Sequence, residues 1–63
     1  MTITYNITDL SLIAQLCDMA QIRPVSVAFG DTNVSIEFTD RDAAVSFTKE
    51  YLGDGEGVSD YVD

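Results

Sequence analysis

Apolar and polar residues alternate strictly from Thr2 to Thr8, with Ile3, Tyr5 and Ile7 on one side and Thr2, Thr4, Asn6 and Thr8 on the other. A period of two marks a strand with one face buried and one in water, and it predicts a first strand over roughly residues 2–7. The period changes at Asp9. Thr8 and Asp9 offer side-chain oxygens to the unpaired amides of a helix N-terminus, and the run from Leu10 to Ile22 holds neither Gly nor Pro. At about 100° per residue, Leu12, Ile13, Leu16, Cys17, Met19 and Ala20 share one broad side, while Ser11, Gln15 and Asp18 gather opposite. Pro24 drives the residue before it out of helical dihedrals, so this helix is expected to end at or near Ile22.

Alternation resumes at once. Val25, Val27 and Phe29 share a face with Ser26 and Ala28 on the other; Gly30, Asp31, Thr32 and Asn33 are turn formers; Val34, Ile36 and Phe38 then repeat the pattern around Ser35 and Glu37. Two strands joined by a loop of about four residues form an antiparallel hairpin. Thr39 or Asp40 caps a second helix that runs to about Leu52, with Ala43, Ala44, Phe47 and Tyr51 facing the core and Asp42, Ser46 and Lys49 turned outward, and Gly53 stops it. The remainder, GDGEGVSDYVD, carries four acids and no base. Its alternatives are a flexible tail or a turn followed by a short edge strand at Val58–Val62.

The predicted order is β-α-β-β-α, an α+β two-layer sandwich with a mainly antiparallel sheet and both helices on one face. A further strand at the C-terminus would complete a miniature ferredoxin-like plait. One domain is expected over residues 1–52, followed by an acidic, Gly-rich segment over 53–63. The apolar set of each strand lies on a single face, which leaves the other face, with Thr2, Thr4, Asn6, Ser26, Ala28, Ser35 and Glu37, in water.

Charge narrows the function classes. Eleven acids stand against Arg23, Arg41 and Lys49, with no histidine, giving a net charge of −8 over 63 residues. Nucleic acid and anionic membranes both demand clustered Lys and Arg, so neither is an expected partner. The hydroxyl-rich open sheet face also lacks the aromatic and basic residues with which such faces stack bases. No apolar run is long enough to span a bilayer, and no charged and apolar leader opens the chain, so a cytoplasmic protein is expected, in the host cytoplasm if viral.

Catalysis finds little footing. Without histidine, with Cys17 on the inward side of a helix and with Asp40 and Asp42 explained by the helix N-terminus, no nucleophile, base and oxyanion donor can be named together. No enzyme, cofactor or metal site is expected. Asp54, Glu56 and Asp60 are close in sequence, but Ser59 stands where a calcium-binding loop requires Gly.

The charge is lopsided: residues 1–31 carry three acids and one base, residues 32–63 eight acids and two bases. Glu50, Asp54, Glu56, Asp60 and Asp63 have no local structural role and would form an acidic end that steers the molecule to a basic surface on another protein. Tyr51 and Tyr61, or the border of the first helix at Leu10, Cys17 and Met19, would supply apolar anchors.

The stretch IEFTDRDAAVSFTKEYL, residues 36–52, resembles the strand, capped turn and helix ending of small accessory proteins of tailed bacteriophages. That resemblance implies a compact binder that redirects or blocks one host protein, and it transfers no individual functional residue. The expected function is therefore a noncatalytic protein-protein interaction module, in its finer form a phage-encoded inhibitor or modulator that engages a basic surface of a host protein. The alternative is a self-associating structural protein, a homodimer or larger assembly.

Overall fold

Asp9 and Asp40 begin the two helices by the same means. Each has extended backbone, and each carboxylate accepts a hydrogen bond from an amide of the first turn: Ser11 N–H to Asp9 Oδ1 at 2.9 Å, Ala43 N–H to Asp40 Oδ1 at 2.8 Å. The helices that follow are α1, Leu10–Ala20, and α2, Arg41–Leu52. Of the alternative caps, Thr8 and Thr39, neither is used. The computed structural model describes residues 1–53 and 56–62; Asp54, Gly55 and Asp63 lie outside the described residues.

α1 stops two residues before the expected end. Gln21 adopts a left-handed conformation (φ 56°, ψ 47°), its N–H donating to Asp18 O and the Ile22 N–H to Cys17 O at 3.1 Å. This paired closure satisfies the last carbonyls of the helix, so Pro24 limits where the chain goes next rather than where the helix ends. α2 stops as expected at Gly53, whose φ of 85° is open to glycine at little cost.

Three strands form one sheet: β1, Thr2–Tyr5; β2, Ser26–Phe29; and β3, Val34–Glu37. The order is β1-β3-β2 and both pairings are antiparallel. β1 and β2 therefore run in the same direction with β3 inserted between them, so α1 carries the chain across β3 as a split β-α-β crossover. Residues 30–33 close the β2–β3 hairpin, with Gly30 N–H donating to Asn33 O at 2.8 Å. Register aligns Ile3, Ile36 and Val27 in one row and Tyr5, Val34 and Phe29 in the next, with Thr4, Ser35 and Ala28 between them on the opposite face.

Burial follows that register. Ile3, Tyr5, Val34 and Ile36 from the sheet join Ile13 and Leu16 of α1 and Ala44 and Phe47 of α2 in one core cluster, so both helices cover the same face. On the open face the polar residues pair with one another: Thr4 Oγ1 and Ser35 Oγ lie 3.1 Å apart, and Ser26 Oγ donates to Glu37 Oε1 at 3.3 Å. The first strand is shorter than expected, ending at Tyr5, yet Ile7 is still buried as the chain turns toward α1.

The C-terminal segment is neither a tail nor a strand where it is described. Val58–Asp60 form a 3-10 turn, and Val62 N–H donates back to Val58 O at 2.8 Å. Val62 is only 2% exposed and belongs to the core cluster, with Val58 and Tyr61 packed against it. The fourth strand of a ferredoxin-like plait is thus replaced at this position by a short turn against α2.

Candidate functional site: an acidic end and exposed apolar side chains

Two surface regions are candidates for contact with a partner, and the first is the acidic end. Glu50 lies half-buried in the last turn of α2, Glu56 is exposed, and Asp60 is exposed on the 3-10 turn. Asp54 and Asp63, expected to belong to the same patch, fall outside the described residues. Packing of the turn on α2 brings Tyr51 and Tyr61 together, with ring centroids 5.7 Å apart and planes nearly perpendicular.

Both rings also rest on Tyr5. Tyr61 stacks on it at 5.3 Å with an interplanar angle of 15°, and Tyr51 meets it edge-on at 5.1 Å. Phe47 closes the other side of Tyr5 at 5.1 Å and leads on to Phe38. These tilted and offset arrangements match the preference set by ring quadrupoles. Tyr51 and Tyr61 therefore spend much of their surface inside the fold, and a partner would meet their half-exposed edges. A hydrogen bond to the Tyr51 side chain, then burial, then the neighbouring Tyr51 and Asp60 push the Tyr61 phenol above its ordinary value.

Tyr5 itself is satisfied from within. Its hydroxyl lies 2.7 Å from Thr48 Oγ1, and the Thr48 hydroxyl donates to Ala44 O at 2.7 Å, so the proton of Tyr5 must point at Thr48. Burial pushes the Tyr5 phenol up, reinforced by Tyr61 and Tyr51, and the bond it donates to Thr48 favours the same protonated form. Thr48, fully buried, is the polar residue that sequence reasoning missed; its partner is 43 positions away and no local pattern points to it.

The second region is a set of exposed apolar side chains on α1 and β2. Leu10 is 64% exposed, Leu12 40% and Met19 61%, and on β2 Phe29 is 48% exposed, preceded by Val25 at 57%. Leu10 and Met19 were expected at the border of the helix and are found there. Cys17, the third residue of that border, is half-buried against the core beside a shallow hollow formed by the end of α1 and the Arg23–Pro24 segment. Burial, then the charge of Asp18, pushes its thiol up and away from the reactive thiolate.

Among the described residues, no group of three or more His, Cys, Asp or Glu could hold a metal ion. No helix among them is long and apolar enough to cross a membrane. Family models, curated proteins and solved structures contain no match to this chain.

Proposed function

We propose that this chain is a noncatalytic protein-interaction module whose acidic end steers it to a basic surface of a larger protein. The observation that carries this reading is the exposure of Leu12 and Met19 on one side of a single helix of 11 residues. These two large apolar side chains, about two turns apart, stay in water on the same side of α1, and an apolar patch that the core does not use marks a contact site. Steering falls to Glu50, Asp54, Glu56, Asp60 and Asp63, with Tyr51 and Tyr61 offering their half-exposed edges next to Glu50 and Asp60 in the chain. The finer role, a phage-encoded inhibitor or modulator of a host protein, rests on the resemblance of residues 36–52 alone.

Affinity capture from a lysate of the source organism tests the reading, with the tagged chain compared with a variant carrying Asp54→Asn, Glu56→Gln, Asp60→Asn and Asp63→Asn. A basic protein should be retained at about 0.05 M salt, released at about 0.5 M, and lost in the variant at both, because exposed charges are screened over about 10 Å at 0.1 M ionic strength. Capture indifferent to salt and to the four substitutions would remove the electrostatic part. A Leu12→Ser/Met19→Ser variant that captures as well as the parent would remove the apolar part.

A further inference from the structure

The fold gathers all three tyrosines of the chain into one cluster, and the sequence has no tryptophan or histidine to compete with them for a one-electron oxidant. Cys17, half-buried with its thiol kept protonated, is held in its less reactive form. An oxidised phenol must shed its proton along with its electron, and that requirement separates the three rings. Tyr5 is 1% exposed, and its hydroxyl points at Thr48 Oγ1, 2.7 Å away. Thr48 in turn gives its own proton to the Ala44 carbonyl, which accepts a hydrogen bond but does not take the proton up, so the proton of Tyr5 has no exit. Tyr51 and Tyr61 are half-exposed, and the charge of Asp60 bears on the Tyr61 phenol. Water and that carboxylate can both receive their protons.

Geometry then selects the bond. The unpaired electron of a tyrosyl radical is shared between the oxygen and the ring carbons ortho and para to it. The para carbon already carries Cβ, so coupling falls to the ortho carbons beside the hydroxyl. The Tyr61 hydroxyl donates to the Tyr51 side chain, which sets these carbons next to one another, with ring centroids 5.7 Å apart and planes at 86°. The rings must swing closer for a bond to form. Gly53 and Gly57, with φ of 85° and 84°, lie on the chain between them and give it that freedom.

We propose that Tyr51 and Tyr61 form a site of oxidative cross-linking, at which a one-electron oxidant of the peroxidase class joins their ortho carbons into a dityrosine that fastens the C-terminal turn to α2. Each ring gives up one electron and its phenolic proton to become a phenoxyl radical, and the two radicals pair to make the carbon–carbon bond. Each coupled carbon then loses its hydrogen as a proton while its oxygen regains one. One hydrogen peroxide is reduced to two waters, and the chain loses two hydrogen atoms.

Treatment of the full chain with a haem peroxidase and one equivalent of hydrogen peroxide tests this, at about 10 μM protein so that coupling within a copy outruns coupling between copies. Mass spectrometry reads the products after digestion at glutamate. Cleavage after Glu56 separates Tyr51 from Tyr61, and cleavage after Glu37 separates Tyr5 from both. The expected result is a monomer lighter by two hydrogens, with fragments 51–56 and 57–63 recovered as one joined species. Tyr51→Phe and Tyr61→Phe should each remove that product, and Tyr5→Phe should keep it. Val62→Asp sets a charge in a site that is 2% exposed and lifts the turn, and should slow the link about fivefold or more while leaving both phenols in place. That expectation holds whether the variant loosens the turn alone or unfolds. A link from Tyr5 to either ring would overturn the proposal, as would dimers as the sole product, an equal rate in Val62→Asp, or oxidation confined to the exposed Met1 and Met19, which gain oxygen instead of losing hydrogen. None of these readouts involves a partner protein, so they stand or fall apart from the steering by the acidic end.

Discussion

Tyr5 and Thr48 show how a buried polar pair can be arranged without loss. The Tyr5 hydroxyl gives its proton to Thr48, and Thr48 gives its own to the Ala44 carbonyl, so no buried side-chain oxygen or nitrogen among the described residues is left without a partner. Thr48→Val strands the Tyr5 hydroxyl in an apolar site and should cost about 1–3 kcal/mol in urea unfolding. Tyr5→Phe leaves Thr48 its bond to Ala44 and should cost about 1 kcal/mol. The double variant should be less destabilised than the sum of the two, and a double-mutant cycle measures the difference. Gln21 carries a different residue-scale tension. A side chain at φ 56° is strained by its own Cβ, and Gln21→Gly should raise stability by about 0.5–1 kcal/mol on chemical denaturation, with both capping bonds retained. Neither feature is legible along the chain: one depends on a contact 43 residues distant, the other on a backbone angle that Gln does not announce.

Elements were easier to read, and the reason is the length of each pattern. Strand faces declared themselves because alternation in Thr2–Tyr5, Ser26–Phe29 and Val34–Glu37 matches a sheet with one covered side. Helix starts followed from Asp9 and Asp40, and the end of α2 from Gly53. The segment Val58–Val62 is too short to distinguish two periods: Val58 and Val62 sit four apart, a spacing that serves one tight turn as well as alternate positions of a strand. What decided it was tertiary, since the turn seats Tyr61 on Tyr5 and Val62 in the core. Val62→Ala should therefore cost about 2 kcal/mol in a thermal melt, the loss of two buried methyl groups. A solvated tail would show no change. The acidic end was legible as composition and the core-facing side of Tyr51 from helical spacing, whereas the involvement of Tyr61 in the core depends on that same turn.

At the scale of the whole molecule, a radius of gyration of 10.4 Å is achieved with a core built around five aromatic rings, three of them phenols. Both Tyr5 and Tyr61 have their ionisation raised in the fold. A phenol held protonated in the folded state stabilises it fully below the ordinary value of about 10 and less as pH rises beyond it, because the unfolded chain then releases protons that the folded chain retains. Midpoints of guanidinium unfolding should thus be level between about pH 8 and 9.5 as far as these groups are concerned, and fall above about pH 10. A midpoint that held steady to pH 11 would contradict the placement of the two rings. The net charge of −8 adds to that fall, and repeating the titration at high salt separates the two effects, since only the long-range repulsion is screened.

The packing of Tyr5, Tyr51 and Tyr61 has an optical consequence. The chain has no tryptophan and these are its only tyrosines, all within 5.7 Å of one another by ring centroid. Its tyrosine fluorescence and the tyrosine part of its near-ultraviolet dichroism therefore come from a single coupled triad, with one ring each from the first strand, the second helix and the C-terminal turn. Lifting that turn from the helix would uncouple the emitters and brighten or shift their light, so the molecule carries its own label-free reporter of whether its last residues are docked.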